Sequence, residues 1–310
     1  MDLLKNKNVC IIGLGLMGGA YAIGLRKLSP NAIFAYDCNP EVIESALIDG
    51  TIDRGESNDN NVGELLEKSH IIISCLYPKL TVDFFTRHMD ELMPNAIITD
   101  ITGVKGILVE ELLPHLRDDV DFIMGHPMAG SEKEGYGNAT DNIFKGRNYI
   151  LIPISENKPE NIALIKNIID ALGFINIVET TAENHDQKIA FTSQLCHVIA
   201  CALIDCEDDL KISDYEGGSF SDLTRIAMIN TSLWPELFIA NQEKLIAQID
   251  KFENSMKAFR EKISKSDDEG LKKILSDVRQ KRVVMEIDRQ NKAKKYEAQH
   301  QKNNDSTYDD

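Results

Sequence analysis

Short apolar runs alternate with amphipathic stretches along the first 180 residues. The runs are Asn8–Ile12, Ala32–Tyr36, His70–Leu76, Ala96–Thr99, Asp121–Met124, Tyr149–Ile154 and Ile175–Val178. Between them, Leu16–Leu28, a stretch from Pro40, Leu80–Met89 and Asn161–Leu172 read as helices. Strands alternating with helices predict βαβ units and a mainly parallel sheet covered on both faces. The runs are continuously apolar rather than alternating, as burial on both faces requires. After about Thr180 the strand signals stop. Asp186–Ile204 reads as a largely apolar helix. Trp234–Ser264 reads as one long helix, with Leu245, Ile249, Phe252, Met256, Phe259 and Ile263 on a single stripe. Leu271, Ile274, Leu275 and Val278 open another helix. The expected fold is therefore α/β: a parallel-sheet domain over 1–180, then an all-helical domain over 181–289. Stripes this long predict helix packing across a subunit interface, hence a homodimer. Gln290–Asp310 has little apolar content beyond Ala293, Tyr296, Ala298 and Tyr308 and reads as a disordered tail.

Composition narrows the partners. The 34 Lys+Arg against 50 Asp+Glu give a net charge of −16, which argues against a globally basic nucleic-acid surface. Unbroken apolar stretches such as Ile71–Ile73 are too short to cross a bilayer. Met1–Asn8 lacks the apolar core of a secretory signal. Neither nucleic acid nor membrane is expected as a partner. The six cysteines form no CxxC pair and no metal-ligand spacing. They read as reduced thiols of a cytoplasmic protein that holds no metal.

Two segments carry candidate chemistry. In the first, Gly13-Leu14-Gly15-Leu16-Met17-Gly18 follows a strand and opens a helix. In that context Gly13 permits a tight turn, Gly15 lets the backbone approach a pyrophosphate, and Gly18 lets helix and strand pack closely. The helix N-terminus offers free N–H groups and partial positive charge to phosphates. Asp37 closes the second run, 19 residues beyond Gly18. A carboxylate there accepts hydrogen bonds from ribose hydroxyls and repels a 2′-phosphate, so NAD is expected rather than NADP. Ser74, in the third run, is assigned to the same cofactor site. In the second segment, His126 follows the run Asp121–Met124, where parallel strands present their carboxyl ends to a ligand crevice. Pro127 holds His126 extended and keeps it in a loop. A histidine there is suited to take a proton from an alcohol as hydride leaves, or else is a hydrogen-bonded structural residue.

Four segments occur in the order seen in prephenate dehydrogenases, the group that includes arogenate and cyclohexadienyl dehydrogenases. They are Gly13-Leu-Gly-Leu-Met-Gly-Gly19, Asp100-Ile-Thr-Gly-Val-Lys105, Gly125-His-Pro-Met-Ala-Gly-Ser-Glu-Lys133 and Tyr215-Glu-Gly-Gly-Ser-Phe-Ser-Asp-Leu-Thr-Arg-Ile-Ala227. The chain resembles that family from about residue 6 to about residue 285. The resemblance implies a Rossmann-type NAD-binding domain and oxidative decarboxylation of prephenate to 4-hydroxyphenylpyruvate in tyrosine biosynthesis, or of arogenate to tyrosine. It further implies that His126 is the base, that Arg225 grips a substrate carboxylate, and that His197 is a second active-site histidine. Glu132, Thr102 and Lys105 are placed near the substrate on the same ground.

Two departures stand out. Many relatives have a serine where this chain has Gly103, so Thr102, Ser74 or water is expected to hold the His126 imidazole. Gln194 and Cys196 replace residues of a His-Leu-Pro-His segment. No regulatory domain is visible, so any tyrosine feedback would have to act at the active site itself. The competing classes are a 3-hydroxy-acid dehydrogenase, which usually relies on a lysine of its helical domain, and a non-catalytic NAD-binding regulator.

Overall fold

The alternation of runs builds an eight-stranded sheet. The strands are β1 (Asn8–Ile12), β2 (Ala32–Tyr36), β3 (Arg54–Glu56), β4 (Ile71–Ser74), β5 (Ile97–Asp100), β6 (Asp121–Pro127), β7 (Asn148–Ile152) and β8 (Asn176–Glu179). Their order is β3-β2-β1-β4-β5-β6-β7-β8, parallel throughout except for the antiparallel β6–β7 pair. The fold is a Rossmann-like sheet followed by helices, as the pattern predicts. The helices of the sheet region are α1 (Leu16–Arg26), α2 (Pro40–Ile48), α3 (Gly63–Leu66), α4 (Pro78–His88) and α5 (Pro159–Ala171). Successive residues of β1 point to opposite faces. Val9 and Ile11 join a core with α1 and α5, while Cys10 and Ile12 join one with α3 and α4. The structure describes residues 2–131, 133–209 and 211–305.

Four features differ from the pattern reading. β3 carries no apolar signal, because Arg-Gly-Glu forms a short, half-buried edge strand held by β2 alone. β6 runs on to Pro127, because residues beyond its pairing with β5 pair antiparallel with β7. The helical region breaks into α6 (Ala182–Ile189), a π-helical turn Ala190–Gln194, α7 (Leu195–Asp205), α8 (Gly218–Thr224), α9 (Leu233–Ala240), α10 (Gln242–Ser264) and α11 (Asp268–Asp305). The expected single helix from Trp234 stops at Asn241, whose Nδ2 donates to the Asp186 carbonyl and to Gln194 Oε1, both at 2.8 Å. Finally, α11 continues as helix through 290–305, where composition reads disorder. Charge pairs one turn apart, such as Lys292–Asp288, suit a solvated helix. Residues 306–310 of that tail lie outside the described residues.

By its internal contacts the chain divides into two compact units between Leu245 and Ile246. The reason is that the helices after β8 share the sheet's core: Leu237 is buried in it, and Ala182, Leu233 and Trp234 pack against it. The second unit holds the rest of α10 and α11. Its joining turn is fixed by Asp267, which pairs with Lys262 and accepts the Gly270 N–H. Ala182–Asp205, though interrupted by the π-helical turn, is long and apolar enough by composition to cross a membrane, which the scan of unbroken apolar runs does not bring out. The six cysteines are all free.

Candidate active site

The strand order reverses between β1 and β4, which opens a crevice past their carboxyl ends. Gly13 leaves β1 at φ +90°, a conformation glycine adopts without strain. At Gly18 a Cβ would fall 1.9 Å from the Gly13 carbonyl oxygen, so only glycine lets α1 sit this close to β1. Gly15 is different: a Cβ there would meet nothing within 4 Å. No side chain caps α1, and Gly15, Leu16, Met17 and Gly18 all line the cavity. The first-turn N–H groups are thus left for a phosphate. Asp37 accepts the Leu14 N–H at Oδ2 (2.7 Å) and the Asn39 N–H at Oδ1 (2.9 Å). Each carboxylate oxygen keeps a lone pair for a ribose hydroxyl. The loop, the uncapped helix and the carboxylate together fit NAD. Ser74 does not join them: it is fully buried behind the cavity wall, and its hydroxyl pairs with Thr81 at 3.0 Å.

From this loop a cavity of about 660 Å³ extends to the helices. Gly103 and His126 line it from the sheet, Gln194 and His197 from the π-helical turn and α7, and Arg225 and Trp234 from the segments around α9. His126 lies inside β6, paired with Ile150, rather than in a loop. Its extended backbone is what the following proline favours. Gly125 must be glycine because the Tyr149 hydroxyl would lie 2.1 Å from a Cβ. His126 Nδ1 lies 2.8 Å from His185 Nε2. Burial, with His185 and Lys105 nearby, holds the His126 pKa well below the ordinary histidine value. The ring is therefore neutral near pH 7 and able to accept a proton.

Neither Thr102 nor Ser74 holds the imidazole, contrary to expectation. The Thr102 side chain turns inward although the residue lines the cavity: its Oγ1 lies 2.5 Å from Asp100 Oδ2 and 2.9 Å from the Val104 carbonyl. Lys105 does not reach the cavity at all. It is fully buried, and its Nζ donates to Asp100 Oδ2 (2.5 Å), the Gly125 carbonyl (2.6 Å) and Thr102 Oγ1 (3.1 Å). Asp100 Oδ1 in turn accepts the Gly125 N–H (3.1 Å). A buried ion pair thus clamps both ends of the residue before His126. At Gly103, a Cβ would press on Leu237 at 3.3 Å.

On the helical side, His197 donates from Nδ1 to the Ser193 carbonyl (3.0 Å) and stacks on Trp234 with ring centroids 3.6 Å apart. Arg225 opens a 3-10 turn directly after α8 and is exposed on the cavity wall. Asn230 spans the opening: its Nδ2 donates to Glu134 Oε1 (2.7 Å) and Tyr77 Oη (3.2 Å). Its Oδ1 caps the start of α9 by accepting the Leu233 N–H (2.7 Å). Glu132 lies outside the described residues.

Two family models match the chain: the nucleotide-binding domain of prephenate dehydrogenase over residues 21–177 and its dimerization domain over 181–277. The chain belongs to the prephenate dehydrogenase family. Its relatives include the prephenate dehydrogenase of Bacillus subtilis, 26% identical over 87% of this chain and 74% of that protein. The cyclohexadienyl dehydrogenase of Zymomonas mobilis is 26% identical over 91% of this chain and 97% of that one. Among solved structures, the Aquifex aeolicus prephenate dehydrogenase with hydroxyphenyl propionate and NAD+ superposes with a TM-score of 0.82. It is 31% identical over 91% of this chain and 99% of that one. With the cofactor loop described above, this family member is an NAD-dependent dehydrogenase.

The dehydrogenase's cavity also uses residues that sequence reasoning passed over. Trp234 and Asn230 carried no local signal beyond an aromatic and an amide at a helix start. Asp186 opens the apolar helix predicted over Asp186–Ile204, and His185 just before it falls in no predicted element. Only the structure shows that these two adjacent polar residues are buried, to 1% and 2% exposure.

Proposed function

We propose that this dehydrogenase oxidatively decarboxylates prephenate to 4-hydroxyphenylpyruvate. The observation that carries this reading is the placement of His126 on the wall of the same cavity as the glycine loop and Arg225. NAD, when bound, supplies the hydride acceptor. His126 Nε2 accepts the proton of the ring hydroxyl as the carbinol carbon is oxidised. The ring becomes aromatic when the C–CO2 bond breaks, so the protein's tasks are orientation and proton removal. Arg225 holds a substrate carboxylate bidentately. His197, fixed by Ser193 and Trp234, faces the substrate from the helical side. NADH formation by purified protein supplied with prephenate or with arogenate tests the reading. Turnover of prephenate well above that of arogenate is expected. The reverse ratio makes the enzyme an arogenate dehydrogenase, and no turnover of either sinks the reading.

Replacing Arg225 with alanine is expected to weaken substrate binding by about 2 kcal/mol or more, as loss of a desolvated charge pair does. The substrate KM then rises roughly 30-fold or more with NAD affinity unchanged; an unaltered KM removes Arg225 from the substrate site. Asp37→Ala combined with Cys38→Arg is expected to raise the NADP-to-NAD ratio of kcat/KM by about tenfold or more, by trading repulsion of a 2′-phosphate for an ion pair. No change in that ratio means that Asp37 does not face the ribose.

A homodimer accompanies this reading. Only 28% of the apolar window within Ala182–Asp205 is buried. In the second unit Met256, Ile263, Leu275, Val278 and Val284 are each at least half exposed. Apolar surface on this scale suits a second copy of the chain. A monomer mass in light scattering at micromolar concentration counts against it.

A further inference from the structure

We infer that His185 and Asp186 are positioning residues for His126: the Asp186 carboxylate sets the tautomer of His185, and His185 sets the tautomer of His126. The inference rests on the reading of His126 as the proton acceptor. It begins from the carboxylate. Asp186 Oδ1 accepts the Lys105 backbone N–H (2.9 Å), and Oδ2 accepts the Gly106 N–H (2.8 Å). The same Oδ1 lies 2.7 Å from His185 Nδ1. A carboxylate already held by two backbone donors is an acceptor, so the His185 proton sits on Nδ1. His185 Nε2 then carries a lone pair, and at 2.8 Å from it His126 Nδ1 must donate. That leaves His126 Nε2 as the bare nitrogen, the form a general base requires.

The opposite arrangement, with His185 Nε2 donating to His126, would need a doubly protonated His185. Its surroundings oppose that. The groups facing it are His126, Asp186 and the Lys105–Asp100 pair, and burial outweighs the pull of Asp186 so that its pKa is lowered. The network also accounts for Gly103. No hydroxyl is available there to orient the imidazole, and the His185 ring, tilted 65° to that of His126, does so from behind. In the reaction the substrate O–H bond breaks and a His126 Nε2–H bond forms. His185 keeps its own proton, and the Asp186 charge behind it offsets the new imidazolium. The proton then leaves His126 for water.

Nitrogen-15 NMR of the full chain labelled at histidine, at mildly alkaline pH, reads the tautomers directly. Spectra of His126→Asn and His185→Gln assign the two rings. Both rings are expected to carry hydrogen on Nδ1 and a bare Nε2; the reverse tautomer at either overturns the inference. In kinetics, His185→Leu is expected to lower kcat by roughly 10- to 100-fold, less than loss of the base itself, with both KM values within about threefold. His185→Gln, whose amide oxygen can stand where Nε2 accepted, recovers most of kcat. A folded His185→Leu enzyme with wild-type kcat, or a glutamine variant no better than leucine, overturns the inference. Full turnover in His126→Asn instead overturns the base assignment, a result the tautomer measurement does not share.

Discussion

His126→Asn is expected to lower kcat by about 10²–10⁴-fold while the KM for each substrate changes less than about threefold. The asparagine amide can take the place of Nδ1 and still donate to His185, so strand β6 and the cavity wall keep their shape. Nothing then stands where Nε2 was, and the hydroxyl proton has no acceptor. The wild-type pH profile carries the same information. Burial, together with the nearby His185 and Lys105, disfavours the imidazolium of His126. A base works in its deprotonated form, so activity is retained at neutral pH and falls only as pH drops through a pKa below the ordinary histidine value of about 6.5. In the asparagine variant that limb disappears. A kcat within tenfold of wild type, or an unchanged limb, shows that another group takes the proton.

The second large effect is on stability. Lys105→Met is expected to destabilise the fold by about 3–5 kcal/mol, because it strands the Asp100 carboxylate in an environment with no solvent access. The lost hydrogen bonds also free the Gly125 carbonyl, so kcat should drop along with the urea midpoint. The double variant Lys105→Met with Asp100→Asn should recover part of the lost stability, since it removes the uncompensated charge. A midpoint shift in Lys105→Met worth less than about 1 kcal/mol shows that Asp100 finds another partner or takes up a proton.

Lys105 also shows where sequence reading reaches its limit. A lysine just past a strand end suggests charge offered to a ligand. Its side chain instead turns beneath the sheet to Asp100, five residues back, and to a carbonyl of the neighbouring strand. Nothing in the spacing distinguishes these two directions.

The residues alone determined the parts of this protein whose physics is local. The glycine loop, α1 and Asp37 lie within one strand–helix–strand unit, and Gly18 answers to the Gly13 carbonyl a few residues back. Buried strands announce themselves because both faces must be apolar. The helical character after Thr180 follows from periodicity, and family membership from motifs kept in order. Tertiary structure decided whatever depends on which element meets which. β6 extends through His126 because β7 pairs with it from the opposite direction. The helix from Trp234 breaks at Asn241 because its amide bonds to α6 and the π-helical turn. His126 is oriented by a histidine 59 residues further along the chain. Periodicity records which face of an element is apolar. It does not record the partner of a buried polar group, because that partner is chosen by packing, and packing brings together residues that the chain keeps far apart.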